Sequence, residues 1–269
     1  MTFLKWAGGK AQLLSEILPR LPSSMSTYVE PFVGGGAVFF ALAHQERMRR
    51  AIIGDRNRYL VDTYGVVQRQ VDTLIRVLKH HQAHARDEDY FYELRELEPD
   101  DLDTVERAAW LIFLNKTCFN GLYRVNSKGR FNVPFGHRAN PRVLDEDRLR
   151  WCSSALRRAK LIAADFEEVA GDARRGDAVY FDPPYLPIDE SSFVAYGAEH
   201  FSAYDHRRLR DLFVDLRGRQ VSALLSSSDC TAARRIYREL KLVEVKARRA
   251  ISSDKRTRKR IGELLFIDA

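Results

Sequence analysis

The sequence predicts an α/β protein: a class of fold with a mostly parallel sheet under helices, a terminal antiparallel hairpin and an inserted helical segment. Three observations predict it. Apolar strand-like stretches alternate with stretches of helical spacing in both the early and the late parts of the chain. Between about residues 62 and 150 the pattern changes to charged helical stretches and then to an aromatic, polar segment. The 269 residues, 45% hydrophobic and 30% charged, suffice to bury a core of that size and exclude collagen-like, low-complexity and wholly disordered chains.

The first βα unit runs from Thr27-Tyr28-Val29-Glu30-Pro31-Phe32 through Gly34-Gly35-Gly36 into the apolar helix start Ala37-Val38-Phe39-Phe40. The second strand is Ala51-Ile52-Ile53-Gly54-Asp55. Helical stretches follow, among them Val66 to His84 and Thr104 to Leu114. Strands are expected at Lys160 to Ala164, Asp177 to Asp182 and Val221 to Ser226, with a late antiparallel pair at Leu242 to Ala247 and Glu263 to Asp268. The expected layout is one discontinuous domain, residues 1–61 and 151–269, interrupted by a second domain, residues 62–150.

Forty-four Lys and Arg against 37 Asp and Glu give a net charge of +7, an excess that favours a polyanionic partner without singling one out. Cys118, Cys152 and Cys230 are too few and too scattered for a disulfide framework or a closed zinc site, which fits a reducing cytoplasm. The start, MTFLKWAGGK, lacks a signal-peptide stretch, and no eighteen apolar residues run together, so a soluble intracellular protein with no membrane partner is expected. His80 and His84 stand one helical turn apart without a further ligand motif; a solvated helix face and no metal are expected.

The sharpest signal is Tyr180-Phe181-Asp182-Pro183-Pro184-Tyr185, an apolar strand running into an acid, two prolines and an aromatic. In open α/β sheets ligands bind at the carboxyl ends of strands, where Asp182 would project a carboxylate beside the Pro183 carbonyl. The exocyclic amine of a nucleobase is a poor nucleophile because its lone pair is delocalised into the ring. Two acceptors gripping its hydrogens would draw the nitrogen toward tetrahedral geometry and stabilise the positive charge that develops as it attacks. Tyr185 would hold the base by stacking. The bland alternative is a strand-ending turn with an exposed acid.

A second signal is Glu30-Pro31-Phe32-Val33-Gly34-Gly35-Gly36, whose glycines let backbone turn tightly beside a ligand at a helix start. It is not the dinucleotide fingerprint, since Phe39 stands where the third glycine would be. Asp55, about twenty residues on, can hydrogen-bond ribose hydroxyls. Together they suggest an adenosine-type cofactor without a phosphate chain. Lys5-Trp6-Ala7-Gly8-Gly9-Lys10 resembles a P-loop only superficially, because Leu4 and Ala11 replace a required glycine and hydroxyl residue. Trp6 could cover a ligand and Lys10 pair with a carboxylate, or the two could simply be core and surface.

From Asn115 to Leu144 there is no acid, while Lys116, Arg124, Lys128, Arg130, Arg138 and Arg142 are basic. The stretch Phe119 to Phe135 reads as a loop and hairpin turning at Ser127-Lys128-Gly129, studded with amides and aromatics, with Phe119, Asn120, Arg124, Asn126, Asn132 and the nearby Arg138 as candidate DNA-contacting residues. Arg suits guanine and Asn suits adenine edges, each bidentate pair discriminating by about 1–3 kcal/mol. The run Lys246 to Arg260, eight of fifteen residues basic, could straddle a phosphate backbone or be a solvated loop.

Taken together, these residues resemble the DNA adenine methylase (Dam) family of S-adenosylmethionine-dependent N6-adenine methyltransferases. The resemblance rests on Phe3-Leu4-Lys5-Trp6-Ala7-Gly8-Gly9-Lys10, Val29-Glu30-Pro31-Phe32-Val33-Gly34, Asn120-Gly121-Leu122-Tyr123-Arg124 with Phe131-Asn132-Val133-Pro134-Phe135-Gly136, Asp182-Pro183-Pro184-Tyr185, and Arg249-Ala250-Ile251-Ser252-Ser253. It implies a class I methyltransferase sheet, 1–61 with 151–269, interrupted by a target-recognition domain, 62–150, with a DNA-reading hairpin. It also implies S-adenosylmethionine contacts at Trp6, Lys10, Asp55 and Asp182, with Phe32, Gly34, Asp165 and Phe166 lining the same pocket. Positions matching Leu122, Arg124 and Pro134 read GATC in family members. Two departures are the triple glycine at 34–36 and Phe119 where the family has Tyr.

The expected activity is therefore methyl transfer to N6 of adenine flipped out of duplex DNA, with Asp182, Pro183 and Tyr185 catalytic, in a cytoplasmic enzyme of a nucleoid, phage or restriction-modification system. Two other readings share these features. A methyltransferase of the same fold could act on RNA or a protein amide, and a silent DNA-binding module could keep the scaffold without the chemistry.

Overall fold

The computed structural model describes residues 2–6, 8–186, 201–246 and 262–267. The basic run beyond residue 246, the motif at 249–253 and Ala7 lie outside the described residues. In chain order the elements begin with α1 (Leu14–Ile17), β1 (Met25–Glu30), α2 (Ala37–His44), β2 (Met48–Gly54), α3 (Arg58–Arg69), α4 (Val71–Ala83), α5 (Glu88–Glu96) and α6 (Thr104–Thr117). They continue with α7 (Glu146–Leu156), β3 (Ala159–Ile162), α8 (Phe166–Ala170), β4 (Ala178–Phe181), α9 (Ala203–Gly218), β5 (Ser222–Ser228), α10 (Thr231–Ile236), β6 (Lys241–Lys246) and β7 (Gly262–Ile267).

Two compact units emerge: Met1–Lys10, Gly34–His44 and Asn57–Ala163 form the first, and Ala11–Val33, Gln45–Arg56 and Ala164–Ala269 the second. The first is larger than the segment 62–150 expected from sequence. The reason is packing, since α3 lies against α6 and α7, and α2 against α7.

Among the described residues the sheet has seven strands, six of them in the second unit in the order β2-β1-β4-β5-β7-β6. Pairing is parallel from β2 through β5, with Tyr28 opposite Ala178 and Phe181 opposite Leu225. The last strand, β7, runs antiparallel between β5 and β6. All four residues of β4 are fully buried, which explains the unbroken apolar run Ala178-Val179-Tyr180-Phe181 of a strand covered on both faces. This is the class I methyltransferase-like arrangement expected from sequence, and the late antiparallel pair is present.

In the first unit α6 is the central helix. Asp103 accepts from the Val105 and Glu106 N–H groups, and Glu106 returns a bond to the Asp103 N–H, a capping box that starts the helix. From Ala108 to Asn115 every residue is buried. The expected single helical stretch Val66 to His84 is instead two helices. Gln70 leaves helical geometry at φ −136°, and the bend lets Val66 and Val67 on α3 and Leu74, Ile75 and Leu78 on α4 all reach the interior.

Among the described residues each unit holds one buried imidazole: His81 bonds through Nδ1 to the Tyr90 hydroxyl at 2.8 Å, and His206 through Nδ1 to the Tyr237 hydroxyl at 2.7 Å. Burial drives both pKa values down to about 4. The folded chain therefore refuses a proton that the unfolded chain accepts near 6.5, so stability is complete above that pH and is lost as pH falls toward 4. Each imidazole should cost about 2 kcal/mol by pH 5. Urea unfolding at pH 7.5 and pH 5 checks this, and the drop should shrink in His206→Gln.

Candidate active site

Because β1, β2 and β4 are parallel, their carboxyl ends lie on one edge of the second unit's sheet, and an acid stands at each: Glu30 ends β1, Asp55 follows β2 and Asp182 follows β4. The chain leaves β1 for β2 on one side, while β4 pairs on the other, so this edge includes the switch point at which open α/β sheets bind ligands. Asp182 is half-buried, Pro183 buried and Pro184 exposed. The Tyr185 hydroxyl donates to Glu263 Oε2 at 3.1 Å.

Beneath this edge the Tyr28 hydroxyl donates to buried Glu30 at 3.0 Å, and the Tyr180 hydroxyl shares a 2.7 Å bond with Ser226 Oγ. Burial raises the pKa of Tyr28, Tyr180 and Tyr185 well above the ordinary phenol value, reinforced by the charge of Glu30 at Tyr28 and of Asp182 at Tyr180 and Tyr185. All three stay neutral. The result is an acceptor-rich edge of fixed carboxylates that can hold the hydrogens of an amine, with a phenol ring beside it.

Phe32, just past β1, stacks on Phe166 at 5.7 Å, and Phe201 packs edge-on against Phe32 at 5.4 Å. Asp165 caps α8 by accepting from the Glu167 N–H, and the same carboxylate pairs with Arg208 at 2.8 Å. Arg208 also pairs with Glu167 and Asp205 and lies over the Phe166 ring. Asp165 is thus tied into α8 and α9, a role the sequence reading had not foreseen, and the capping pattern Asp165-Phe166-Glu167 was the available signal.

In the first unit, Trp6 stacks on Tyr123 with ring centroids 5.4 Å apart. Gly34 has φ +46°, and a Cβ there would sit 2.8 Å from Trp6 Cδ1; at Gly35 it would meet Trp6 Cβ at 3.1 Å. The glycines expected to lie against a ligand therefore lie against the Trp6 side chain. Lys10 is buried, its Nζ donating to the Gly8 carbonyl at 2.7 Å.

The same segment is tied to the hairpin. Buried Asn115, at the end of α6, accepts from the Lys5 N–H at 2.9 Å and donates to the carbonyls of Lys5 at 2.6 Å and Gly121 at 3.2 Å. Sequence reading missed Asn115 and Tyr123 because their partners are remote in sequence. Asn115→Leu, which strips three backbone groups of their partner, the Gly121 carbonyl among them buried, should destabilise the chain by about 2 kcal/mol in urea unfolding.

Residues 119–136 form the expected hairpin. Val125 bridges Phe131 and Cys118 bridges Phe135, both antiparallel, and the Gly129 N–H closes the turn on the Asn126 carbonyl at 2.9 Å. Burial alternates on the return arm: Phe131, Val133 and Phe135 are buried, Asn132 half-buried and Pro134 exposed. Phe119 and Arg124 are also exposed, whereas Asn120, Leu122 and Arg138 are half-buried. Asn126 spends its side-chain oxygen on the Lys128 and Arg130 N–H groups, so it shapes the turn, and Arg124 Nε donates to Asn132 Oδ1 at 2.7 Å. At the hairpin's base Lys116 has a pKa lowered to about 8, chiefly by burial and next by Arg148.

Comparison with known proteins decides the family. The model of the D12 class N6 adenine-specific DNA methyltransferases matches residues 6–251. The chain belongs to that class. A type II methyltransferase of Lactococcus lactis, M1.LlaDCHI, is 38% identical over 98% of this chain and 93% of its own length. The type II methyltransferase M.MjaIII of Methanocaldococcus jannaschii is 40% identical over 99% and 98%, and the DNA adenine methylase of Haemophilus influenzae 35% over 98% and 92%. As a D12 chain this is an adenine-specific DNA methyltransferase. Among its described residues no helix is long and apolar enough to cross a membrane, and no group of three or more His, Cys, Asp or Glu could hold a metal ion.

Proposed function

We propose that this D12 methyltransferase carries the methyl group of S-adenosylmethionine to N6 of adenine within GATC in duplex DNA, rotating the target base out of the stack. The observation that carries this reading is the placement of Asp182-Pro183-Pro184-Tyr185 directly after a fully buried strand at the sheet's carboxyl edge. The second unit's residues fit an adenosine-type cofactor: Asp55 stands at the end of β2 for ribose hydroxyls, and Phe32 and Phe166 offer aromatic surface. When bound, S-adenosylmethionine supplies a methyl group activated by its positive sulfur.

The chain's own part is to hold and polarise the amine. Asp182 and the Pro183 carbonyl accept its two hydrogens, which frees the lone pair and stabilises the charge that develops on nitrogen. Tyr185 stacks on the base, and alignment supplies much of the remaining acceleration. Trp6, Lys10, Phe32, Gly34, Asp55, Phe166 and Asp182 are the assigned cofactor residues; Asp165 joins them by steadying α8. Residues 62–150 serve recognition, and 1–61 with 151–269 catalysis.

Extruding a base costs on the order of a few kcal/mol, which contacts from the hairpin would offset. Phe119, Asn120, Leu122, Arg124, Asn132, Pro134 and Arg138 are the assigned DNA contacts, with Asn126 holding the turn that presents them. Arg124, freed from Asn132, would grip a guanine edge. Arg124→Ala should lower discrimination at the guanine position by about 10- to 100-fold, measured as kcat/KM on GATC against single-mismatch duplexes. The proposed setting is cytoplasmic. Expression in cells lacking adenine methylation, followed by base-resolution sequencing, tests the whole reading: N6-methyladenine confined to GATC is expected, and methylation at another motif, or none, overturns it.

A further inference from the structure

Asp182 to Leu186 form neither helix nor strand, so no ladder of backbone bonds fixes the segment that would meet the target base. Among the groups that tie it down are two side chains from neighbouring strands. Ser228 Oγ, on β5, donates to the Leu186 carbonyl at 3.2 Å, and Glu263 Oε2, on β7, accepts from the Tyr185 hydroxyl at 3.1 Å. Glu263 is itself anchored on both sides: it pairs with Ser228 across β5 and with Val245 across β6. The Asp229 N–H bonds the preceding Gly262 carbonyl at 3.1 Å, extending the β5 contact.

We propose that Glu263 is a positioning residue for methyl transfer, holding the Tyr185 ring in the plane the extruded adenine stacks on. This rests on the assignment of Tyr185 to the target base. A tyrosine ring turns about two torsions, and a bond at its far end restricts both; an anionic acceptor makes that bond stronger than a neutral one. Burial, Asp182 and Glu263 itself keep the phenol protonated, so it remains a donor. A ring fixed before the base arrives spares the complex the cost of ordering it, and the gain appears in turnover rather than in cofactor affinity.

The test is a double-mutant cycle with Tyr185→Phe, which keeps the ring and removes only the hydroxyl. Glu263→Ala and Tyr185→Phe should each lower kcat by about 10-fold, the double variant should be no slower than either, and cofactor affinity by calorimetry should stay within about 2-fold. Glu263→Gln, which keeps an acceptor oxygen, should restore turnover to within about 3-fold of wild type. Multiplying losses, an unchanged kcat in Tyr185→Phe, or equal losses in the Gln and Ala variants would overturn the inference. Absence of adenine methylation by the wild type would instead overturn the function on which it rests.

Discussion

Asp182→Ala should slow methyl transfer by about 10²–10³-fold while leaving duplex binding and the fold intact. Removing one preorganised electrostatic partner from a reacting centre costs about 10²–10³ in rate, or roughly 3–4 kcal/mol of barrier. Here the acid would act on nitrogen in the ground state and the transition state alike, but its charge matters most as positive charge builds. The fold should tolerate the change because Asp182 is half-buried, outside the strand, among groups that already include Glu30 and Glu263. Tritium-methyl transfer, duplex binding and thermal unfolding check the three parts. Near-normal turnover in the variant would refute the catalytic role. Asp182→Asn should fall between the two, since it keeps an acceptor oxygen and loses the charge.

Gly136→Ala should be the most damaging single methyl group in the hairpin of residues 119–136. A Cβ at this position would lie 2.5 Å from the Cys118 carbonyl oxygen and 2.7 Å from that of Thr117, both backbone atoms at the end of α6. Neither can swing aside as a side chain could. The return arm would have to lift away, breaking the bonds from the Gly136 N–H to Thr117 at 2.9 Å and from the Phe119 N–H to Pro134 at 2.8 Å. The expected loss is about 3 kcal/mol of stability, the upper end for a small-to-large change, because the obstacle is backbone. Affinity for duplex DNA should fall with it and cofactor affinity should hold, as gel shift and calorimetry would report. A variant as stable as the parent would show that the arm has slack the geometry denies.

Strands such as β2 and β4 were legible because a short apolar run, Ala51-Ile52-Ile53 or Ala178 to Phe181, is closed by a turn residue, a pattern carried by adjacent positions. The same holds for the Asp182 motif, where one contiguous stretch carries strand, stop and acid together. The two helices read as one stretch between Val66 and His84 show the limit: nothing in the residues around Gln70 marks a break, and only packing against α6 and α7 imposes it.

What the sequence determined by itself was the alternation that builds the sheet, the basic hairpin with its turn at Ser127-Lys128-Gly129, and the chemistry of the residues at a strand's end. What tertiary structure alone decided was which of those residues are already engaged: Gly34 against Trp6, Asp165 with Arg208, Arg124 with Asn132, Tyr185 with Glu263. Local pattern is written in adjacent residues, because backbone geometry repeats every few positions. Partnership between side chains as many as 78 positions apart is created only when the chain folds and brings remote segments together.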